Sequence, residues 1–88
     1  MILEPPPQYV YPPTVPLYVE ERRLSDVGEL CRALGVVADQ DQIVYGCALP
    51  GPSSCYIIIP LQGIGGVGPR TYAAIRRHEI AHCNGWKH

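Results

Sequence analysis

Prolines dominate the start of this chain and limit how much of it can fold. Six of the first sixteen residues, MILEPPPQYVYPPTVP, are proline. Proline fixes the backbone angle φ and lacks an amide hydrogen, so this stretch is expected to be an extended arm, in polyproline II or lying along other surfaces. The proline-rich arm, residues 1–16, leaves residues 17–88 to build the folded domain.

A domain of this size needs additional stabilisation, because a small fold buries only about 60–65% of the surface that its unfolded chain exposes. A metal ion, disulfides or a partner chain commonly supply it. Four cysteines (Cys31, Cys47, Cys55 and Cys83) allow three pairings, with four free thiols as the alternative. If a hairpin turned symmetrically about Gly51, Cys47 and Cys55 would lie opposite each other, and their pairing would favour an extracytoplasmic location.

Charge and hydropathy exclude two classes of partner. The chain carries 7 basic and 8 acidic residues, with a net charge of -1 and no block of like charge, which argues against nucleic-acid binding. None of its apolar runs approaches the roughly 20 residues that a membrane-spanning helix requires.

Local signals along residues 17–88 predict an α+β fold. A short strand is expected at 17–19, followed by an amphipathic helix with Ser25 as its N-cap and Gly35 at its end. A second helix is expected to begin near Pro69 and to run to Gly85, since proline suits the first turn of a helix and glycine suits its end.

Two strands are expected between these helices. Residues 43–49 and 55–61 are rich in β-branched and aromatic side chains and should form an antiparallel hairpin. Pro60 cannot donate to a ladder, so the end of the second strand is expected at a sheet edge. The glycines of 63–68 spell G-x-G-x-x-G, but the second parallel strand and acidic residue of a dinucleotide site are missing, which favours an ordinary connection.

The strongest chemical signal is the terminal stretch RRHEIAHCNGWKH. It contains His78, Glu79, His82, Gly85 and His88 in the spacing H-E-x-x-H-x-x-G-x-x-H. Residues four apart on a helix share one face, so the first two imidazoles can point at a single ion. Glycine permits the sharp reversal that would return the third histidine to the same ion.

With these residues the last eleven positions of the chain resemble the zinc signature of the metzincin clan of zincin metallopeptidases. The resemblance implies that His78, His82 and His88 bind Zn²⁺, with Glu79 as the general base. It also implies a minimal zincin-like domain over residues 17–88. Three imidazoles leave one position of a tetrahedral zinc open for a water whose pKa falls to about 7, as peptide hydrolysis requires.

These expectations lead to three hypotheses about function. The first is a zinc-dependent metallopeptidase or related hydrolase acting on a peptide or protein substrate. The second is a non-catalytic structural or assembly module with a structural zinc and a partner-binding proline-rich arm, in which Pro6–Tyr9 matches the PPxY pattern. The third is a metal-free fold closed by disulfides.

Overall fold

A mixed three-stranded sheet forms the centre of the protein. The computed structural model describes residues 4–36 and 44–87 and confirms the predicted α+β class. Its elements are a 3-10 turn (Pro7–Tyr9), β1 (Leu17–Arg22), α1 (Leu24–Ala33), β2 (Cys47–Pro50), β3 (Cys55–Pro60) and α2 (Pro69–Cys83). The strand order is β1-β3-β2, with β1 parallel and β2 antiparallel to β3.

The predicted hairpin is present and its second strand is central in the sheet, but at Pro60 that strand has a partner on one side only. Pro60 is fully buried and pairs with Arg22. The amide of Leu61 donates to the Arg22 carbonyl (2.8 Å), so the nitrogen of the preceding proline faces the other way, towards β2. There β2 has already ended, since Cys47 pairs with Ile58. A central strand can therefore hold a proline at its last position.

The predicted Cys47–Cys55 disulfide is also wrong, because the hairpin turns over four residues instead of symmetrically about Gly51. The amide of Gly51 donates to the carbonyl of Ser54 (2.8 Å), and Pro50 pairs with Cys55. This register differs by an odd number of residues from the symmetric one, which moves facing side chains to opposite sides of the sheet. Cys47 consequently lies on the α1 face and Cys55 on the α2 face.

Cys47 and Cys55 instead each form a disulfide with the helix that covers their own face of the sheet. Cys31 of α1 is linked to Cys47 of β2, and Cys55 of β3 is linked to Cys83 of α2. Around these bonds the buried cores are Val27, Cys31, Cys47 and Ile58 on one face and Cys55, Ile57, Ile59 and Ile75 on the other. The sequence separations of 16 and 28 residues correspond to about 3–4 kcal/mol of stabilisation per disulfide.

The helix boundaries follow the sequence signals at α2 but not at the start of α1. Arg23, not Ser25, is the N-cap of α1, and its carbonyl accepts the amide of Val27 (3.2 Å). The amide of Leu24 donates to the carbonyl of Gly65 (2.8 Å), so the glycine-rich loop satisfies the helix start. A contact from a distant segment thus replaces the predicted serine cap.

The glycine-rich loop folds back tightly onto the end of β3. The amide of Val67 donates to the carbonyl of Leu61 (2.9 Å), and a Cβ atom on Gly66 would lie 1.8 Å from that same oxygen. Only glycine fits such an approach between two backbone segments. Close packing of two backbone segments therefore explains the glycine at position 66.

The proline-rich arm lies along α2. Glu4 forms an ion pair with Arg77 (2.8 Å), and the side-chain amide of Asn84 donates to the carbonyls of Tyr9 (2.9 Å) and Tyr11 (2.7 Å). These contacts hold residues 4–11 of the arm against the second half of α2 and its C-cap.

Candidate functional site

The end of α2 positions the predicted site residues. At the helix terminus the amide of Gly85 donates to the His82 carbonyl and that of Trp86 to the Ala81 carbonyl, both at 3.1 Å. Gly85 has φ of +99°, which L side chains rarely adopt. This pair of bonds is a Schellman motif, in which the residue after the glycine turns back onto the helix. The sharp reversal predicted at Gly85 is confirmed.

The structure brings the first two predicted histidines together. The Nε2 atoms of His78 and His82 are 3.2 Å apart, as expected for residues four apart on one helix face. The Nδ1 of His82 lies 2.7 Å from the carbonyl oxygen of Trp86. Because a carbonyl only accepts, Nδ1 of His82 carries the hydrogen, and in the neutral ring its Nε2 accepts the Nε2–H of His78.

Trp86 completes this cluster. Its ring stacks on that of His82 with centroids 5.0 Å apart and planes 13° apart, and it meets the His78 ring edge-on. Hydrophobic contact by the residue that follows a helix-ending glycine is a recurrent part of the Schellman motif, and this signal locates the tryptophan.

Glu79, the predicted general base, lies on the side of α2 that faces the sheet. Its residue exposure is 5%, and burial raises the pKa of its carboxyl to about 7. A Cβ atom at Gly46 would lie 3.0 Å from its Oε2 and 3.0 Å from the Ile58 carbonyl oxygen. Gly46 thus leaves the space that the carboxyl occupies, a role that its sequence context did not indicate.

The geometry of the described residues corrects the zinc prediction. His88, the third predicted ligand, lies outside those residues, and across 4–36 and 44–87 no group of three or more His, Cys, Asp or Glu side chains could hold a metal ion. The rings of His78 and His82 instead contact each other and Trp86. All four cysteines are in disulfides. The predicted Zn²⁺ cofactor, and with it the assignment to metzincin metallopeptidases, is therefore wrong.

Comparison with known proteins leaves the chain without a family assignment. No protein-family model, no curated protein and no solved structure matches it.

The prediction that the chain has no membrane-spanning segment is confirmed for the helices of the described residues. Neither is long and apolar enough to cross a bilayer.

Proposed function

We propose that this protein is a non-catalytic binding module, held together by disulfides, that binds an extended segment of another polypeptide chain along the outer edge of β1. It keeps the assembly role of the second hypothesis, but two covalent links take the place of the zinc ion and the β1 edge takes the place of the proline-rich arm. Disulfides form and persist in oxidising compartments, so the proposed setting is extracytoplasmic.

The open edge of β1 is the observation that carries the proposal. The amide of Cys55 donates to the carbonyl of Pro16 (2.9 Å), which fixes the alternation of the parallel ladder. Even-numbered residues of β1 consequently bond to β3, whereas the backbone groups of Leu17, Val19 and Glu21 point outwards. Among the described residues, no backbone group forms a hydrogen bond with these three.

An exposed aromatic side chain lies on this edge, at Tyr18. Tyr18, Tyr56 and Leu49 are aligned across the three strands on the α1 face of the sheet. Tyr56 and Leu49 are half-buried, and Tyr18 is 57% exposed. Tyrosines present a rigid apolar ring with a polar end, which is why they are enriched in recognition surfaces.

Leu17, Tyr18, Val19, Glu21 and Tyr56 together define the β1 edge surface. A strand added to a sheet edge gains main-chain hydrogen bonds, while side-chain contacts on alternate residues provide selectivity. The β1 edge surface offers both, because its outward backbone groups lie beside the exposed ring of Tyr18. An extended polypeptide is the ligand that uses the two together.

The proline-rich arm is less suited than the β1 edge to binding a partner, and Glu79 is less suited to catalysis than the sequence suggested. The arm contains a 3-10 turn at Pro7–Tyr9, whereas proline-rich recognition reads polyproline II, so binding of a partner to the docked arm would require its release. Catalysis by Glu79 stays a prediction. Its pKa of about 7 suits proton transfer, but its carboxyl is buried against Gly46.

Amide hydrogen exchange tests the proposed edge. The probes are capped synthetic peptides of about eight residues that alternate threonine with valine or tyrosine, the length of an ordinary strand. In protein diluted until it is monomeric, peptide binding should slow exchange at Leu17, Val19 and Glu21 and leave Tyr18 and Glu20, already bonded to β3, unchanged. Unchanged exchange at the three outward amides, or equal slowing at all five, would contradict strand addition.

A further inference from the structure

We infer that the strand received by the β1 edge surface is β1 of a second copy of this chain, running antiparallel with the two Tyr18 residues facing each other. The inference rests on the proposed function and names its partner. It follows from the distribution of charge along β1 and from the exposed tyrosine.

The charges of β1 favour the antiparallel direction. The strand has the sequence LYVEER, with Leu17, Tyr18 and Val19 at its start and all the charged residues at its end. A parallel copy in register would set Glu20 beside Glu20, and like charges directly opposite each other destabilise a sheet. In an antiparallel pair centred in the uncharged half of the strand, the charged residues of the two copies lie at opposite ends of the shared ladder. A two-fold symmetric dimer requires this direction as well.

Symmetric registers centred on any of residues 17–21 bring outward backbone groups into contact, and they differ in the side chains that meet. A centre at Leu17 overlaps only that residue of the two β1 strands, and a centre at Glu21 places two carboxylates together. Centring on Glu20 places two carboxylates together, and centring on Val19 places each Tyr18 opposite a Glu20. Centring on Tyr18 pairs the two exposed rings and places Leu17 opposite Val19 of the second copy. Cross-strand aromatic pairs stabilise a sheet, so this register is the one that we assign.

The same register pairs the outward backbone groups of Leu17 and Val19, whereas Glu21 lies beyond the overlap of the two β1 strands. Leu17 and Val19 point outwards from each copy, and an antiparallel pair of such residues exchanges both of its hydrogen bonds. The Tyr18 pair between them is of the non-hydrogen-bonded kind, whose side chains approach most closely. Its own amide and carbonyl remain bonded to β3, so pairing leaves the existing ladder intact.

Molecular mass in solution tests the dimer. Sedimentation velocity and light scattering of the oxidised protein should give twice the 9.7 kDa of one chain. Tyr18→Arg sets two like charges together and should return the mass to that of one chain, whereas Tyr18→Phe keeps the dimer. Tyr11→Arg is the matched control. Tyr11 is 45% exposed and lies in the arm, and its substitution changes the net charge by the same amount. A single-chain mass for the unmodified protein at millimolar concentration, or a dimer of Tyr18→Arg, would overturn the inference.

Photo-oxidative tyrosine cross-linking tests the register. The dimer should yield a Tyr18–Tyr18 dityrosine, identified by mass spectrometry of the digested protein, and Tyr18→Phe should remove it. A dimer whose cross-link joins other tyrosines would overturn the assigned register.

The peptide-exchange experiment separates this inference from the proposed function. A monomeric protein whose outward β1 amides are still protected by added peptide would overturn the dimer and retain the edge as a binding site. A monomer without such protection would overturn both.

Discussion

The imidazole of His82 stacks on the indole of Trp86 and donates its Nδ1–H to the carbonyl of that same residue. The end of α2 and the pair His78 and His82 therefore form one structural unit, because this hydrogen bond spans the turn at Gly85. The Cys55–Cys83 disulfide fixes the adjacent helix residue to β3. Substitutions in this unit should affect stability first, and the predictions below begin there.

Replacing Gly85 by alanine should lower the free energy of unfolding by about 1–2 kcal/mol, because a Cβ atom is disfavoured at its φ of +99°. Gly85→Asn is the control, since asparagine adopts positive φ at a helix end more readily than alanine does. Urea denaturation of both variants measures the difference. Equal losses of stability would contradict positive φ as the cause of the loss in Gly85→Ala.

His82→Phe should retain ring packing on Trp86 while losing the hydrogen bonds to the Trp86 carbonyl and to His78, at a cost of about 1–2 kcal/mol. His82→Ala removes the ring as well and should lower stability further. Denaturation curves of the two variants separate the contribution of the His82 hydrogen bonds from that of ring stacking. If the two variants were equally stable, the stack would contribute nothing measurable.

Glu79 should make the stability of the protein depend on pH. Burial raises its pKa from the ordinary value of 4.5, which applies to the unfolded chain, to about 7 in the folded state, so the folded state holds the proton more tightly. Stability should therefore be highest below pH 4.5 with respect to this group, and should fall as pH rises through 7, by about 3 kcal/mol in total.

Glu79→Gln should remove this dependence and stabilise the protein most above pH 7. The measurement is the difference in unfolding free energy between variant and parent at several pH values. Glu29→Gln, on the exposed side of α1, controls for the change in net charge. A difference between Glu79→Gln and the parent that stays constant with pH would contradict the assigned burial of the carboxyl.

Reduction of the disulfides should destabilise the protein strongly. Opening either bond removes about 3–4 kcal/mol, a large part of the stability of a small domain. Thermal melting with and without a thiol reductant measures the loss, and thiol counting under denaturation should find none before reduction. A chelator should leave the melting temperature unchanged, because the links between sheet and helices are covalent. A fall with the chelator would contradict this account.

Asn84→Ala should loosen the arm without unfolding the domain. The substitution removes both side-chain bonds to the carbonyls of Tyr9 and Tyr11. Limited proteolysis should then cut within residues 5–16 faster than in the parent protein, while the melting temperature changes little. Arg77→Ala, which removes the exposed ion pair with Glu4, should have a smaller effect. Unchanged cleavage in Asn84→Ala would show that other contacts hold the arm.

The sequence alone determined the features that depend on neighbouring residues. The helix end at Gly85, the shared face of His78 and His82, and the existence of a hairpin all follow from signals within a few positions. Each helix or strand is predicted by the spacing of the apolar residues within it and by the glycine or proline residues near its ends. The α+β class follows from the same signals.

The tertiary structure decided which distant groups meet. The hairpin register separated Cys47 from Cys55, the strand order made β3 central and left β1 open, and a loop carbonyl replaced Ser25 at the start of α1. At the candidate site, the space for Glu79 came from Gly46 on another segment. Strand pairing, disulfide partners and burial depend on contacts between segments far apart in the chain, whose energies outweigh local preference.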